Sequence, residues 1–120
     1  MITGGAFQGK TDYAKKRFSL SDGDIADGGS CELSALKKAK YVKHYELAVK
    51  RLSESGEDPL KFTRETEFEV VIINEIGNGI IPLEKSERVW REMTGRAGCI
   101  LASRAEEVVR VCCGIPEVIK

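Results

Sequence analysis

The chain has 120 residues, with nineteen basic and nineteen acidic side chains that cancel to a formal net charge of zero. Such a balance gives no drive toward nucleic acid or an anionic membrane surface, and 42% hydrophobic residues exclude a disordered chain. No apolar run approaches the roughly 20 residues that cross a bilayer and no signal-peptide core follows Met1, so one cytoplasmic domain over residues 1–120 is expected.

The first element is a loop. Gly4-Gly5-Ala6-Phe7-Gln8-Gly9-Lys10-Thr11 matches the phosphate-binding pattern G-x-x-x-x-G-K-[ST] in full. Gly4 and Gly9 permit backbone turns that aim successive amide N–H groups at phosphate oxygens, with Gly5, Ala6 and Gln8 between them. Lys10 supplies a point charge for the β and γ phosphates, and the Thr11 hydroxyl suits Mg²⁺. Only Met1, Ile2 and Thr3 precede the loop, which predicts an unusually short leading strand. A short helix is expected over Gly9–Phe18, its positive end toward the phosphates and Tyr13, Ala14 and Phe18 available for packing.

Ser19–Ser30 is rich in Gly, Ser and Asp and reads as a loop. A long helix is expected over about Glu32–Ser53, capped by Ser30, because Tyr41, Tyr45, Ala48 and Leu52 fall on one face. His44 stands on the shoulder of that stripe, Lys37, Lys38, Lys40 and Lys43 form a solvated face, and Gly56 and Pro59 end the segment. Glu69–Ile73 is the best strand, a β-branched run suited to burial on both faces of a parallel sheet. Asn74–Pro82 is a glycine-containing loop at its C-terminal end, where ligands bind in open α/β sheets. A helix is expected over about Glu84–Arg104, since Val89, Met93, Ala97, Ile100 and Arg104 share a face, with Gly95 and Gly98 as points of breaking or bending. A buried strand at Glu107–Cys113 and an edge strand at Ile115–Ile119 complete a compact three-layer α/β domain. A sheet of three or four strands is small, so a homo-oligomer is expected to help cover it.

Cys31, Cys99, Cys112 and Cys113 contain no C-x-x-C spacing and stand far in sequence from the lone His44, which argues against zinc. Cys112 and Cys113 read as small buried hydrophobes on opposite sides of a strand.

The second half carries a more specific signal. Asn74-Glu75-Ile76-Gly77-Asn78-Gly79-Ile80-Ile81-Pro82 resembles the N-E-V-G-x-G-[IV]-V-P segment of the adenosylcobinamide kinase/adenosylcobinamide-phosphate guanylyltransferase family. Trp90-Arg91-Glu92 is similar to its F-R-D, and Gly95-Arg96 to its G-R. Leu101-Ala102 with Ala105-Glu106-Glu107-Val108 resembles L-A-x-x-A-D-E-V, Gly114-Ile115-Pro116 resembles G-[IL]-P, and the Thr3–Thr11 segment resembles T-G-G-A-x-S-G-K-S. The resemblance implies a RecA-like P-loop fold with a small, mainly parallel sheet, acting in cobalamin biosynthesis. It implies ATP or GTP with Mg²⁺ as cofactor, a corrinoid (adenosylcobinamide) as acceptor, trimeric assembly, and two activities. These are phosphorylation of a hydroxyl and GMP transfer through a guanylylated histidine. The chain departs from the family in its shortened middle, which normally holds a further strand, the histidine helix and an acidic strand. Phe7 and Gln8 also stand where the family favours Arg and Ser, and Gly98 and Cys99 where it has Asn-Gln.

Four residues remain as candidates for chemistry beside the loop backbone. Lys10 and Thr11 follow from the loop itself. Glu75, at a strand end, either holds a Mg²⁺ water or accepts a hydroxyl proton, or else fixes the Gly77–Gly79 turn. His44 is the one histidine available as the family's nucleophile, or is simply solvated. With no Asp beside it and Glu46 expected on another helical face, a guanylyl-histidine intermediate is not expected. The leading expectation is a nucleoside-triphosphate-binding, adenosylcobinamide kinase-like protein that has lost guanylyl transfer. A non-catalytic nucleotide sensor or assembly partner, or a small-molecule kinase outside cobamide synthesis, are the alternatives.

Overall fold

The computed structural model describes residues 1–76 and 84–120. Six strands form one sheet in the order β2-β3-β4-β1-β5-β6. They are β1 (Ile2–Gly4), β2 (Ala26–Asp27), β3 (Tyr41–Lys43), β4 (Val70–Asn74), β5 (Val109–Cys112) and β6 (Ile115–Val118). All neighbours pair in parallel except β5 and β6, which form an antiparallel hairpin. The helices are α1 (Lys10–Phe18), α2 (Leu33–Lys38), α3 (Tyr45–Glu54), α4 (Pro59–Glu65) and α5 (Lys85–Arg104).

The period-two alternation of β4 builds the layers. Val70 and Ile72 face one side, where they pack with Ile2, Val109, Val111 and Ala14 of α1. Val71 and Ile73 face the other, where Leu36, Val42, Tyr45, Ala48, Val49, Leu52, Phe62, Ala97 and Leu101 bring in α2 to α5. Helices therefore cover both faces of a mostly parallel sheet, the three-layer α/β architecture expected. The short leading strand is stabilised by its position: β1 lies between β4 and β5, with Ile2 paired to both Ile72 and Val109.

The expected long helix over Glu32–Ser53 is corrected. Glu32, not Ser30, is the N-cap of α2, and the chain then enters β3, with α3 starting only at Tyr45. Tyr45, Ala48 and Leu52 do share the buried face of α3, but Tyr41 lies on the strand and packs on the opposite side of the sheet. Fully buried Val42 closes the gap between β2 and β4. Sheet pairing supplied by distant strands has overridden a local 3.6-residue period that no Gly or Pro interrupts. His44 makes the break, with a left-handed backbone at φ 54°. The Lys37–Lys43 run is split accordingly between α2, the connection and β3.

Three smaller corrections follow. The Ser19–Ser30 segment contains a short 3₁₀ turn at Asp22–Asp24 and the edge strand β2. Helix α4 was not expected, although Asp58 caps it by accepting the Leu60 N–H at 3.0 Å, with Pro59 in the first turn. In α5 neither Gly95 nor Gly98 interrupts the helix, and the buried stripe is Thr94, Ala97 and Leu101, whereas Val89 is exposed.

Candidate functional site

The Gly4–Thr11 segment leaves the C-terminal end of β1 and delivers Lys10 and Thr11 into the first turn of α1. Gly4 adopts φ 146°, and a Cβ there would lie 2.4 Å from the Val111 carbonyl oxygen, so only glycine passes beside β5. Gly9 adopts φ 93° as the N-cap, which turns the backbone into the helix. Asp12 sits in the first turn and Lys15, Lys16 and Arg17 in the last, each complementing the helix dipole.

Lys10 is buried, at 6% exposure, rather than facing solvent as a loop-mouth lysine is expected to. Its ammonium donates to the Gly5 carbonyl inside its own loop. Burial lowers its pKa, while the nearby carboxylates of Glu46 and Glu75 pull it back up. A cation held this way is costly until an anion reaches it, which suits a phosphate contact.

Glu46 is a candidate site residue that sequence reasoning missed. It is 2% exposed at the start of α3, and its Oε1 accepts the Asn74 N–H at 2.8 Å. Trp90 Nε1 donates to the Glu46 carbonyl oxygen at 2.7 Å, which fixes the helix start against α5. Its Oε2 lies 3.7 Å from His44 Nδ1, so the expectation that Glu46 points to another helical face is wrong. His44 stands outside the helix in a left-handed conformation, and helical spacing does not govern the pair. The signal that could have found Glu46 is an acidic residue in the first turn of a helix that follows a strand.

Gly4 pairs with Asn74, and the Glu75 N–H donates to the Gly4 carbonyl at 2.8 Å, so the two strand ends meet as expected. The Glu75 carboxylate, however, grips Arg110 of β5 with both oxygens, at 2.9 and 3.1 Å. Arg96 pairs with Glu92 at 2.7 Å. Gly77–Pro82 of the expected glycine loop lie outside the described residues.

The other flank of the loop is held by the β5–β6 turn. Cys113 N–H donates to Gln8 Oε1 at 2.7 Å, and Gly114 N–H donates to the Gln8 carbonyl at 2.9 Å. Cys112 and Cys113 are exposed, not buried, because β5 ends at Cys112 and the inward positions belong to Val109 and Val111.

Among the described residues no group of three or more His, Cys, Asp or Glu side chains could hold a metal, and no helix is long and apolar enough to cross a membrane. A cleft of about 860 Å³ lies at the opposite end of the sheet, against Met1, Glu69 and Glu107, away from the loop.

The family model described as cobinamide kinase / cobinamide phosphate guanyltransferase matches residues 33–119. The chain belongs to that family, one of nucleotide-binding proteins of cobalamin biosynthesis. No curated protein matches the chain. The match begins after the Gly4–Thr11 loop, whose reading rests on its own residues and geometry.

Proposed function

We propose that this chain binds ATP or GTP with Mg²⁺ on the Gly4–Thr11 loop and transfers a phosphoryl group to a hydroxyl of an adenosylcobinamide-type corrinoid. The observation that carries the reading is buried Lys10, enclosed by its own loop and flanked by Glu46 and Glu75 at the ends of parallel strands. Phosphoryl transfer asks mainly for positioning and charge neutralisation. In this reading the amides from Gly5 to Lys10 orient the phosphates, and Lys10 exchanges its Gly5 contact for the β and γ oxygens. Thr11 and the phosphates would hold Mg²⁺, which needs few protein ligands and supplies neutralisation of the phosphate charge. Glu46 acts as a positioning residue that fixes Asn74 and balances Lys10. Glu75 holds Arg110 at the strand ends and would be the second residue to hold the metal. The whole chain acts as one domain over residues 1–120, and a homo-oligomer would cover exposed Ile115, Val118 and Ile119.

A non-catalytic nucleotide sensor is the second reading, favoured by the Glu75–Arg110 pair, which occupies the carboxylate best placed to accept a proton. The two are separated by incubating protein, Mg²⁺, ATP or GTP and adenosylcobinamide, then looking for the phosphorylated corrinoid by mass spectrometry. Lys10→Ala removes one charge-assisted phosphate contact and is expected to weaken triphosphate binding about tenfold or more. Unchanged affinity overturns both readings; binding without product leaves the sensor.

A further inference from the structure

The turn that staples the P-loop is also where two thiols meet. Cys112 closes β5 and Cys113 opens the turn, with φ 52° followed by φ 76° at Gly114. Consecutive positive φ values mark a tight hairpin turn in which Asn, Asp or Gly normally stands first, so a cysteine there is a poor choice for structure alone. The neighbouring Cys112 sulfur pushes the Cys113 pKa up, which disfavours attack by Cys113. Cys112 lies on the same face of β5 as Arg110, two positions back, whose guanidinium adds a positive field.

The same turn is fastened to the loop through both hydrogen bonds to Gln8. Gly114 also packs so close that a Cβ on Gly9 would lie 3.4 Å from its Cα. Turn and loop therefore meet through backbone, and a shift of one is passed to the other.

We propose that Cys112–Cys113 is a thiol-modification site at which a low-molecular-weight disulfide forms a mixed disulfide, and that the adduct detaches the turn from Gln8 and weakens nucleotide binding. The Cys112 thiolate attacks one sulfur of the disulfide; the new S–S bond forms as the old one breaks. The other half leaves as a thiolate and takes up the proton that Cys112 released. Closure to a Cys112–Cys113 ring is disfavoured, since adjacent Cα atoms are about 3.8 Å apart and disulfides ordinarily need about 4.4 Å or more. The adduct is therefore the lasting product.

The second half of this inference rests on the nucleotide-binding reading, so the test has a readout that does not. The full chain is treated with glutathione disulfide, mapped by peptide mass spectrometry, followed by hydrogen exchange over residues 4–11, and titrated with a fluorescent GTP or ATP analogue. Expected are one adduct on Cys112 or Cys113, faster exchange in the loop, and about tenfold weaker binding that a reductant restores. The double variant Cys112→Ser, Cys113→Asn should be insensitive to the disulfide in exchange and in affinity. Modification at Cys99 in place of the turn, or an adduct on the turn with unchanged loop exchange, overturns the proposal. Failure of the reduced protein to bind nucleotide would sink the functional reading, while mapping and exchange would still decide the thiol site.

Discussion

Replacing Glu46 tests how the site is held together, because its two oxygens do different work. Oε1 accepts the Asn74 N–H at 2.8 Å in a setting where the side chain is 2% exposed. In Glu46→Ala that amide loses its partner away from water, at a cost of about 1–3 kcal/mol, and a buried methylene adds about 0.8 kcal/mol. Glu46→Gln keeps the stem and an amide oxygen for Asn74, and removes only the charge. The alanine variant should therefore be less stable than the glutamine variant by roughly 2–3 kcal/mol, a melting-point gap on the order of 10 °C for a domain of this size. Urea denaturation of the nucleotide-free protein measures it. The missing charge has a second consequence at Lys10, whose pKa burial lowers and Glu46 raises. Without the carboxylate that pKa falls further, and the protonated form is the one that binds phosphate. Triphosphate affinity in Glu46→Gln should then decline at lower pH than in the parent as pH rises. Equal stability of the two variants, within about 0.5 kcal/mol, would refute the assigned hydrogen bond.

Gly4→Ala should cost at least about 3 kcal/mol and expose the P-loop to protease, since the new Cβ meets the Val111 carbonyl at φ 146°; a soluble variant with parental melting would contradict it. Tyr45 is fully buried, bonded to Thr63 at 2.8 Å, and burial pushes its pKa from 10.0 up to about 12. Its contribution is complete below pH 10 and is lost as pH rises toward 12, where ionisation disfavours the fold by roughly 3 kcal/mol. Tyr45→Phe should flatten that alkaline loss in a denaturation series, at the expense of one buried hydrogen bond. His44 lies on the β3 side, two strands from β1 and so about 10 Å from the Gly4–Thr11 loop. α-Labelled GTP with Mg²⁺ should leave the protein unlabelled; an acid-labile label lost in His44→Ala would restore guanylyl transfer.

What could be read in the sequence was whatever one short segment determines by itself. The Gly4–Thr11 loop, α1, the β-branched run of β4 and the β5–β6 hairpin lie where local chemistry puts them. The region from Glu32 to Ser53 misled because Tyr41-Val42-Lys43 is a strand only by virtue of β2 and β4 on either side. A three-residue strand carries too little pattern to outweigh a helical stripe. The same error hid the site: with His44 placed inside a helix, Glu46 falls a poor angle away, whereas a left-handed His44 at the helix entrance brings it within 3.7 Å. The burial of Lys10 is hidden for a related reason: the groups that act on its ammonium, Gly5, Glu46 and Glu75, come from three separate segments. The thiols were judged by the hydrophobic company they keep in sequence, while the strand end that exposes them is set by pairing with β6.

The loop is held from two sides, and the two holds differ in kind. Toward β4, Asn74 pairs with Gly4 and is anchored by a buried carboxylate, while the Glu75 N–H closes on the Gly4 carbonyl. Those contacts are sheltered and belong to the sheet. Toward β5, the hydrogen bonds among the described residues run through Gln8 to Cys113 and Gly114, a turn that is exposed. Free energies of local opening follow burial, so the Gln8 side should release first. That asymmetry gives the two flanks separate roles: the β4 side fixes the strand ends around Gly4, and the β5 side sets the shape of the loop through Gln8, so loosening the β5 side disturbs the loop without unpairing the sheet.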